Sequence, residues 1–260
     1  MAQRAARIDV LAAGLHRLRV PVRREPRAAQ GSRRLRAALF VTGTDTGIGK
    51  TWISAGLVRG MRQLGIDAVG MKPVASGCEP APDGWRNEDA LALLAASGLG
   101  VADYGAVNPV ALPRPASPHL AAMDHGVRID PALLADRFDE LRARHEFVVV
   151  EGAGGWSVPL AGPSPSWILQ ADLVRRLALP ALLVVGLRLG CINHAMLSAR
   201  AIAADGVRLL GWVGNQLAPD DDQRDVLATL DALLSTPALA VVPHGVEPDA
   251  ELASAVLGLV

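Results

Sequence analysis

Lysine is scarce in this chain. Of its 26 basic residues, 24 are arginine and only Lys50 and Lys72 are lysine. A lysine kept where arginine is the rule marks a position that needs a compact ammonium in place of a planar guanidinium. Lys50 closes VTGTDTGIGKT (41–51). Glycines there keep side chains away, so backbone N–H groups at a helix N-terminus can cradle phosphates. Lys50 would reach the outer phosphates, and the Thr51 hydroxyl would ligate magnesium. The usual spacing puts the first glycine at 44, which is Thr44, and Gly43 comes one residue early. A ligand-free, glycine-rich strand-to-helix turn is the plain alternative. Lys72 lies in MKPVASG (71–77), and Pro73 after it favours extended backbone. It reads as a second phosphate-facing ammonium, stabilising charge on a transferring phosphoryl group, against a solvated strand-end charge.

Carboxylates complete the set. VVVEGAGG (148–155) ends an apolar run in Glu151. A carboxylate there suits a magnesium ligand, although Asp is more usual at that position. The alternative is a charge facing solvent. Four small residues, Gly152 to Gly155, follow it and imply close approach of a ligand. Asp89 in WRNEDA opens a helix and, like Glu88, also fits as a first-turn carboxylate on the helix dipole. LGCINHAM (189–196) opens another helix, whose free N–H groups favour an anionic ligand group. Asn193 could simply cap that helix. His194 reads as structural and Cys191 as a small buried residue.

The elements that must carry these residues alternate along the chain. Apolar runs at 38–43, 67–73, 146–152, 181–187, 208–216 and 238–244 read as strands. Helical spacing covers Lys50 to about Leu64, then 87–97, 130–144, 193–205 and 220–234. Continuously apolar strands separated by helices imply a doubly wound, mostly parallel α/β sheet covered on both faces. Ligands of such sheets bind at the carboxyl ends of the strands, where every motif above lies. No repeat or linker divides residues 37–260, which read as one domain.

Composition removes several classes. No apolar run of about 18 residues exists, so no membrane span is expected. Two cysteines, Cys78 and Cys191, make neither a disulfide framework nor a zinc set, which suits a reducing, cytoplasmic setting. The formal charge is zero but unevenly spread. Residues 1–36 hold ten Arg against Asp9 and Glu25, a formal +8, which leaves −8 on the rest. An acidic body argues against nucleic acid as a partner. The first 36 residues read as a disordered arm, a mis-set start or an organelle transit peptide.

Taken together, FVTGTDTGIGKT (40–51), GMKPVASG (70–77), RNEDALAL (86–93), VNP (107–109), SPH (117–119), VEGAGGW (150–156), VVGLRLGCINHAML (184–197) and GWVGNQ (211–216) resemble the dethiobiotin synthetase family. The likeness runs from about residue 38 to 250. It implies a P-loop nucleoside-triphosphate-hydrolase-like fold and ATP with Mg2+. The implied substrates are 7,8-diaminononanoate and carbon dioxide, and the implied place is biotin biosynthesis. Lys72 matches the catalytic lysine. Gly47, Ile48, Gly49, Lys50, Thr51 and Trp52 match the phosphate loop, with Gly152, Ala153 and Gly154 beside it. Thr51, Asp89 and Glu151 match the metal ligands. Asn215, Gln216, Pro243, His244 and Gly245 match the adenine site. Ser76 resembles a substrate contact. Gly190, Cys191, Ile192 and Asn193 resemble the helix start that holds the substrate carboxylate across a homodimer interface.

The chain departs from the family at two places. Gly47 stands where some members carry a glutamate that touches ligand. Gln216 stands where some carry Asp, which bears on nucleotide preference because Gln can donate as well as accept. A partition-type ATPase or ATP switch without the diamine chemistry is the rival reading. Asp45 stands where partition ATPases keep a signature lysine.

Overall fold

Apolar side chains pointing both ways from each strand force this chain into layers. In β1 (Ala37–Gly43) the side chains of Leu39 and Val41 enter one core and Phe40 enters the other. The computed structural model describes residues 36–162, 167–219, 223–248 and 250–260, so the arm reading for residues 1–36 falls almost wholly outside it. α1 spans Lys50–Gln63, followed by β2 (Ala68–Met71), β3 (Val74–Ser76), β4 (Glu79–Ala81), β5 (Gly84–Arg86) and α2 (Glu88–Ala96). Then come α3 (Tyr104–Val107), β6 (Val110–Leu112), α4 (Pro118–Asp124), α5 (Pro131–Arg144) and β7 (Phe147–Glu151). β8 (Pro159–Ala161), β9 (Ile168–Leu169), α6 (Gln170–Arg176), β10 (Ala181–Leu187) and α7 (Cys191–Ala204) follow. β11 (Leu209–Gln216), α8 (Arg224–Leu233), β12 (Ala238–Val242) and α9 (Ala250–Leu257) complete the chain.

Among the described residues, six strands form one parallel sheet in the order β12-β11-β10-β1-β7-β2. In β7, Val148 and Val150 share a core with Phe40, whereas Phe147 and Val149 share the other with Leu39. Helices α5, α6, α7 and α8 cover the first face, and α1, α2, α3 and α9 cover the second. Fully burying each of these large side chains contributes about 1.5–3 kcal/mol, which fixes register, because a one-residue slip would exchange the two faces. The doubly wound sheet is as expected. The short strands β3 with β6, β4 with β5 and β8 with β9 form three small extra sheets that periodicity did not suggest.

Because every strand of the main sheet runs the same way, Gly43, Met71, Glu151, Leu187, Gln216 and Val242 all end at one edge. The next element or loop in each case carries a motif from the sequence.

Candidate active site

α1 begins without a side-chain cap and without an acid in its first turn. Its leading N–H groups therefore face the loop 44–49 unanswered by the chain's own side chains, which is an anion-binding arrangement. Gly49, the residue before the helix, is left-handed (φ 85°), and a Cβ there would lie 2.2 Å from Asn215 Nδ2. That amide instead donates to the Ile48 carbonyl at 2.9 Å. Ile48 itself is buried in the core, so only its main chain is available to a ligand. Lys50 folds back over the loop and donates to the Asp45 carbonyl at 2.8 Å. Burial, then the nearby Lys72 charge, pulls the Lys50 ammonium down to about 8.

Lys72 is the centre of the site. Its Nζ lies 2.6 Å from Glu151 Oε1 and 2.8 Å from Asp89 Oδ2, with the Gly152 carbonyl at 3.4 Å. Burial disfavours the charge, but the Glu151 and Asp89 carboxylates outweigh it and raise the Lys72 pKa. Burial likewise works against ionised Asp89, and the Lys72 charge outweighs it and holds that carboxyl below its ordinary value. Thr51 Oγ1 donates to the same Glu151 Oε1 at 2.8 Å. Glu151 is fully buried, and its Oε2 has no hydrogen-bond partner. A buried, unpaired carboxylate oxygen is costly unless something answers it. The solvent-facing alternative for Glu151 is therefore wrong. Lys72 is buried as well.

The loop after Glu151 is pinned at both ends. Gln170, at the start of α6, accepts from Ala153 N–H and donates to the Gly155 carbonyl, both at 2.8 Å. A Cβ on Gly152 would lie 2.6 Å from Phe40 and 2.8 Å from Gln170. Trp156 closes the far end by donating from Nε1 to Asp205 Oδ2 at 2.7 Å. The resulting cleft of about 760 Å³ is lined by Gly47, Gly49, Lys50, Thr51, Lys72, Ser76, Asp89, Glu151, Ala153 and Gly154. Asn87, Ser117 and Val158 add to its walls. One pocket thus brings together two ammonium groups, hard oxygen ligands and a ring of backbone amides. Such a set can bind a polyphosphate and stabilise charge on a phosphoryl group in transfer.

Comparison with known proteins agrees with this chemistry. An AAA domain family model matches residues 37–250. ATP-dependent dethiobiotin synthetase BioD of Xanthomonas oryzae pv. oryzae is 52% identical over 223 residues, covering 85% of this chain and 96% of that protein. The protein of the same name from Xylella fastidiosa is 50% identical over 216 residues, covering 82% and 93%. The chain belongs to the ATP-dependent dethiobiotin synthetase family. Like the family it is an ATP-dependent ligase that forms C–N bonds. Among solved structures, the MinD cell division protein of Aquifex aeolicus matches with a TM-score of 0.53 at 15% identity, covering 85% of this chain and 97% of that one. That likeness is one of fold.

The remaining residues expected from the synthetase resemblance fall in two other places. Asn215 and Gln216 end β11, and Pro243, His244 and Gly245 follow β12, the strand paired with β11. Trp52 on α1 reaches this loop, donating from Nε1 to the Val246 carbonyl at 2.9 Å. Gly190, Cys191, Ile192 and Asn193 start α7, and none of them is among the residues lining the Lys72 cleft. The capping alternative for Asn193 fails, because Gly190 is the N-cap and Asn193 sits inside the first turn. Cys191 is buried and unpaired, as expected. His194, read as structural, is exposed.

Sequence reasoning missed Asn87, Tyr104, Asn108, Gln170 and Ser117. VNP and SPH were visible as motifs but carried no role. Asn87 had a readable signal, since Asn before two acids and an apolar run is an N-cap pattern, and its Oδ1 does accept from Asp89 and Ala90 N–H. Gln170 had none.

Proposed function

We propose that this chain makes dethiobiotin from 7,8-diaminononanoate, carbon dioxide and ATP through a carbamic–phosphoric anhydride. One amine of the substrate adds to carbon dioxide and loses a proton, giving a carbamate. A carbamate oxygen attacks the ATP γ-phosphorus and ADP leaves. The second amine then attacks the carbamoyl carbon and expels phosphate, and loss of its proton leaves the cyclic urea.

The observation that carries this reading is the Lys72 ammonium held between Asp89 and Glu151, in the same cleft as Lys50 and Thr51. Lys72 neutralises charge on the phosphoryl group during transfer, and Lys50 with the α1 amides holds the outer phosphates. Asn215 and the loop Pro243–Gly245 take the base. Ser76, on β3 at the cleft wall, contacts the substrate.

The site also fits Mg2+. Glu151 Oε2 is a buried acceptor with nothing bound to it, and Thr51 Oγ1 and Asp89 offer further hard oxygens. Among the described residues no cluster of three His, Cys, Asp or Glu could hold a metal alone. Such a cation would share its coordination with phosphate and water, as Mg2+ commonly does. When bound, Mg2+ supplies countercharge to the phosphate oxygens.

The enzyme acts as a homodimer, with the α7 start of one protomer binding the substrate carboxylate at the cleft of the other. Support comes from α7, which buries only Cys191, Ala195 and Ile202 of its fourteen residues and leaves Leu197 exposed, as is Leu189 just before the helix. Residues 37–260 work as one domain, consistent with the single compact unit at Leu35–Val260. We place it in the cytoplasm. No single helix among the described residues is long and apolar enough to cross a membrane.

The test is ATP turnover with bicarbonate, with and without 7,8-diaminononanoate. ADP release that requires the diamine is expected. Turnover at the same rate without it would refute the proposal in favour of an ATP switch.

A further inference from the structure

Five hydrogen bonds tie both ends of Lys72 into a closed ring. Its ammonium donates to Asp89 Oδ2 at 2.8 Å. Asp89 N–H donates to Asn87 Oδ1 at 3.1 Å, and Asn87 N–H donates to the Tyr104 hydroxyl at 2.8 Å. The Tyr104 hydroxyl donates to Asn108 Oδ1 at 2.9 Å. Asn108 Nδ2 then donates to the Lys72 carbonyl at 2.7 Å. Asn87, Tyr104 and Asn108 are all buried, so water cannot replace a lost partner.

We infer that Tyr104 is a positioning residue for phosphoryl transfer, its hydroxyl joining the main chain that carries Lys72 to the helix cap that aims Asp89. This rests on the proposed role of Lys72. Tyr104 is the chain's only tyrosine, and it receives one N–H and gives its O–H, so every ring bond uses a different lone pair or proton. Burial raises the phenol above its ordinary pKa and keeps it a neutral donor. The ring joins elements apart in sequence: the end of β2, the start of α2, and both ends of α3, which Tyr104 opens and Asn108 caps. It also gives the VNP segment a purpose, because Asn108 sits in it. Asn87 Nδ2 extends the ring to the Ser76 carbonyl at 3.3 Å.

Without the hydroxyl, Asn87 N–H loses its acceptor and Asn108 Oδ1 loses its donor. The α2 cap and the Lys72 main chain then relax independently. A shift of the ammonium by a fraction of an ångström weakens charge stabilisation in the transition state but leaves the phosphate loop intact. Tyr104→Phe should therefore lower kcat by about tenfold or more while KM for ATP stays within about twofold, since small misplacements act on the chemical step. Asn108→Asp opens the ring on its other side, because a carboxylate cannot donate to the Lys72 carbonyl. It should show the same split, and it carries the test if Tyr104→Phe does not fold. Arg86→Met is the control. It removes the guanidinium stacked 4.2 Å over the same tyrosine ring but leaves every ring hydrogen bond in place. Its kcat should stay near wild type, whatever its melting temperature.

Unchanged kcat in both Tyr104→Phe and Asn108→Asp would overturn the inference. So would an equal loss of kcat in Arg86→Met. Lys72→Met separates this claim from its premise. Turnover abolished there but intact in both Tyr104→Phe and Asn108→Asp defeats the ring alone, and turnover surviving Lys72→Met defeats the lysine's role and the ring with it.

Discussion

Lys50 and Lys72 are both buried, yet their surroundings push them in opposite directions. Lys72 faces two carboxylates and stays charged across the working range. Lys50 faces a carbonyl and another ammonium, and burial brings it down to about 8. Below that pH the free enzyme already carries the Lys50 charge that phosphate needs. Above it Lys50 is neutral, so ATP binding must take up a proton, and affinity falls by at most about tenfold per pH unit. Calorimetry of ATP binding at pH 7 and pH 9, in buffers of different ionisation enthalpy, should show greater proton uptake at pH 9. Equal uptake at both values would contradict it. The lysines were legible in the sequence because arginine had displaced lysine everywhere else. Tyr104 and Asn108 were not, because their role depends on atoms of Lys72, Asn87 and Asp89 that only tertiary packing brings near.

At the scale of elements, the strands of the main sheet were readable because burial on both faces leaves them continuously apolar. The smaller elements were not. β3 and β6 have three residues each, and α3 has four, too few to show a period. Yet β3 lines the cleft through Ala75 and Ser76, and α6 acts on its wall through Gln170. Gln170 shows how, since one buried amide holds both ends of the glycine loop that follows Glu151. Gln170→Leu would leave Ala153 N–H and the Gly155 carbonyl without those partners. The expected loss of stability is about 1–3 kcal/mol by urea denaturation, since an unsatisfied buried group forfeits its solvation. KM for ATP should rise as well, because Ala153 and Gly154 line the cleft. An unchanged urea midpoint with unchanged KM would show that the loop holds its shape unaided.

Across the whole molecule, the difficulty is to bind ATP, a polyanion, with a body of formal charge −8. The fold meets it locally, by converging two ammonium groups and the α1 N-terminus on one strand edge. The same edge also carries the α7 start, whose first N–H, that of Cys191, is already bonded to the Arg188 carbonyl at 3.0 Å. It follows β10, on the other side of β1 from β7 and Glu151, and it lines no part of the Lys72 cleft. If it serves the cleft of a second copy, each site is built from two chains, and two defective chains can repair each other. Lys72→Met removes the ammonium proposed to act in phosphoryl transfer. Asn193→Asp places a carboxylate in the first turn of α7, where it would repel the substrate's own. Each variant alone should be inactive or nearly so. Mixed and refolded in equal amounts, they should recover about a quarter of wild-type turnover, since half the dimers are mixed and each holds one intact site of two. Sites contained within single chains would recover nothing.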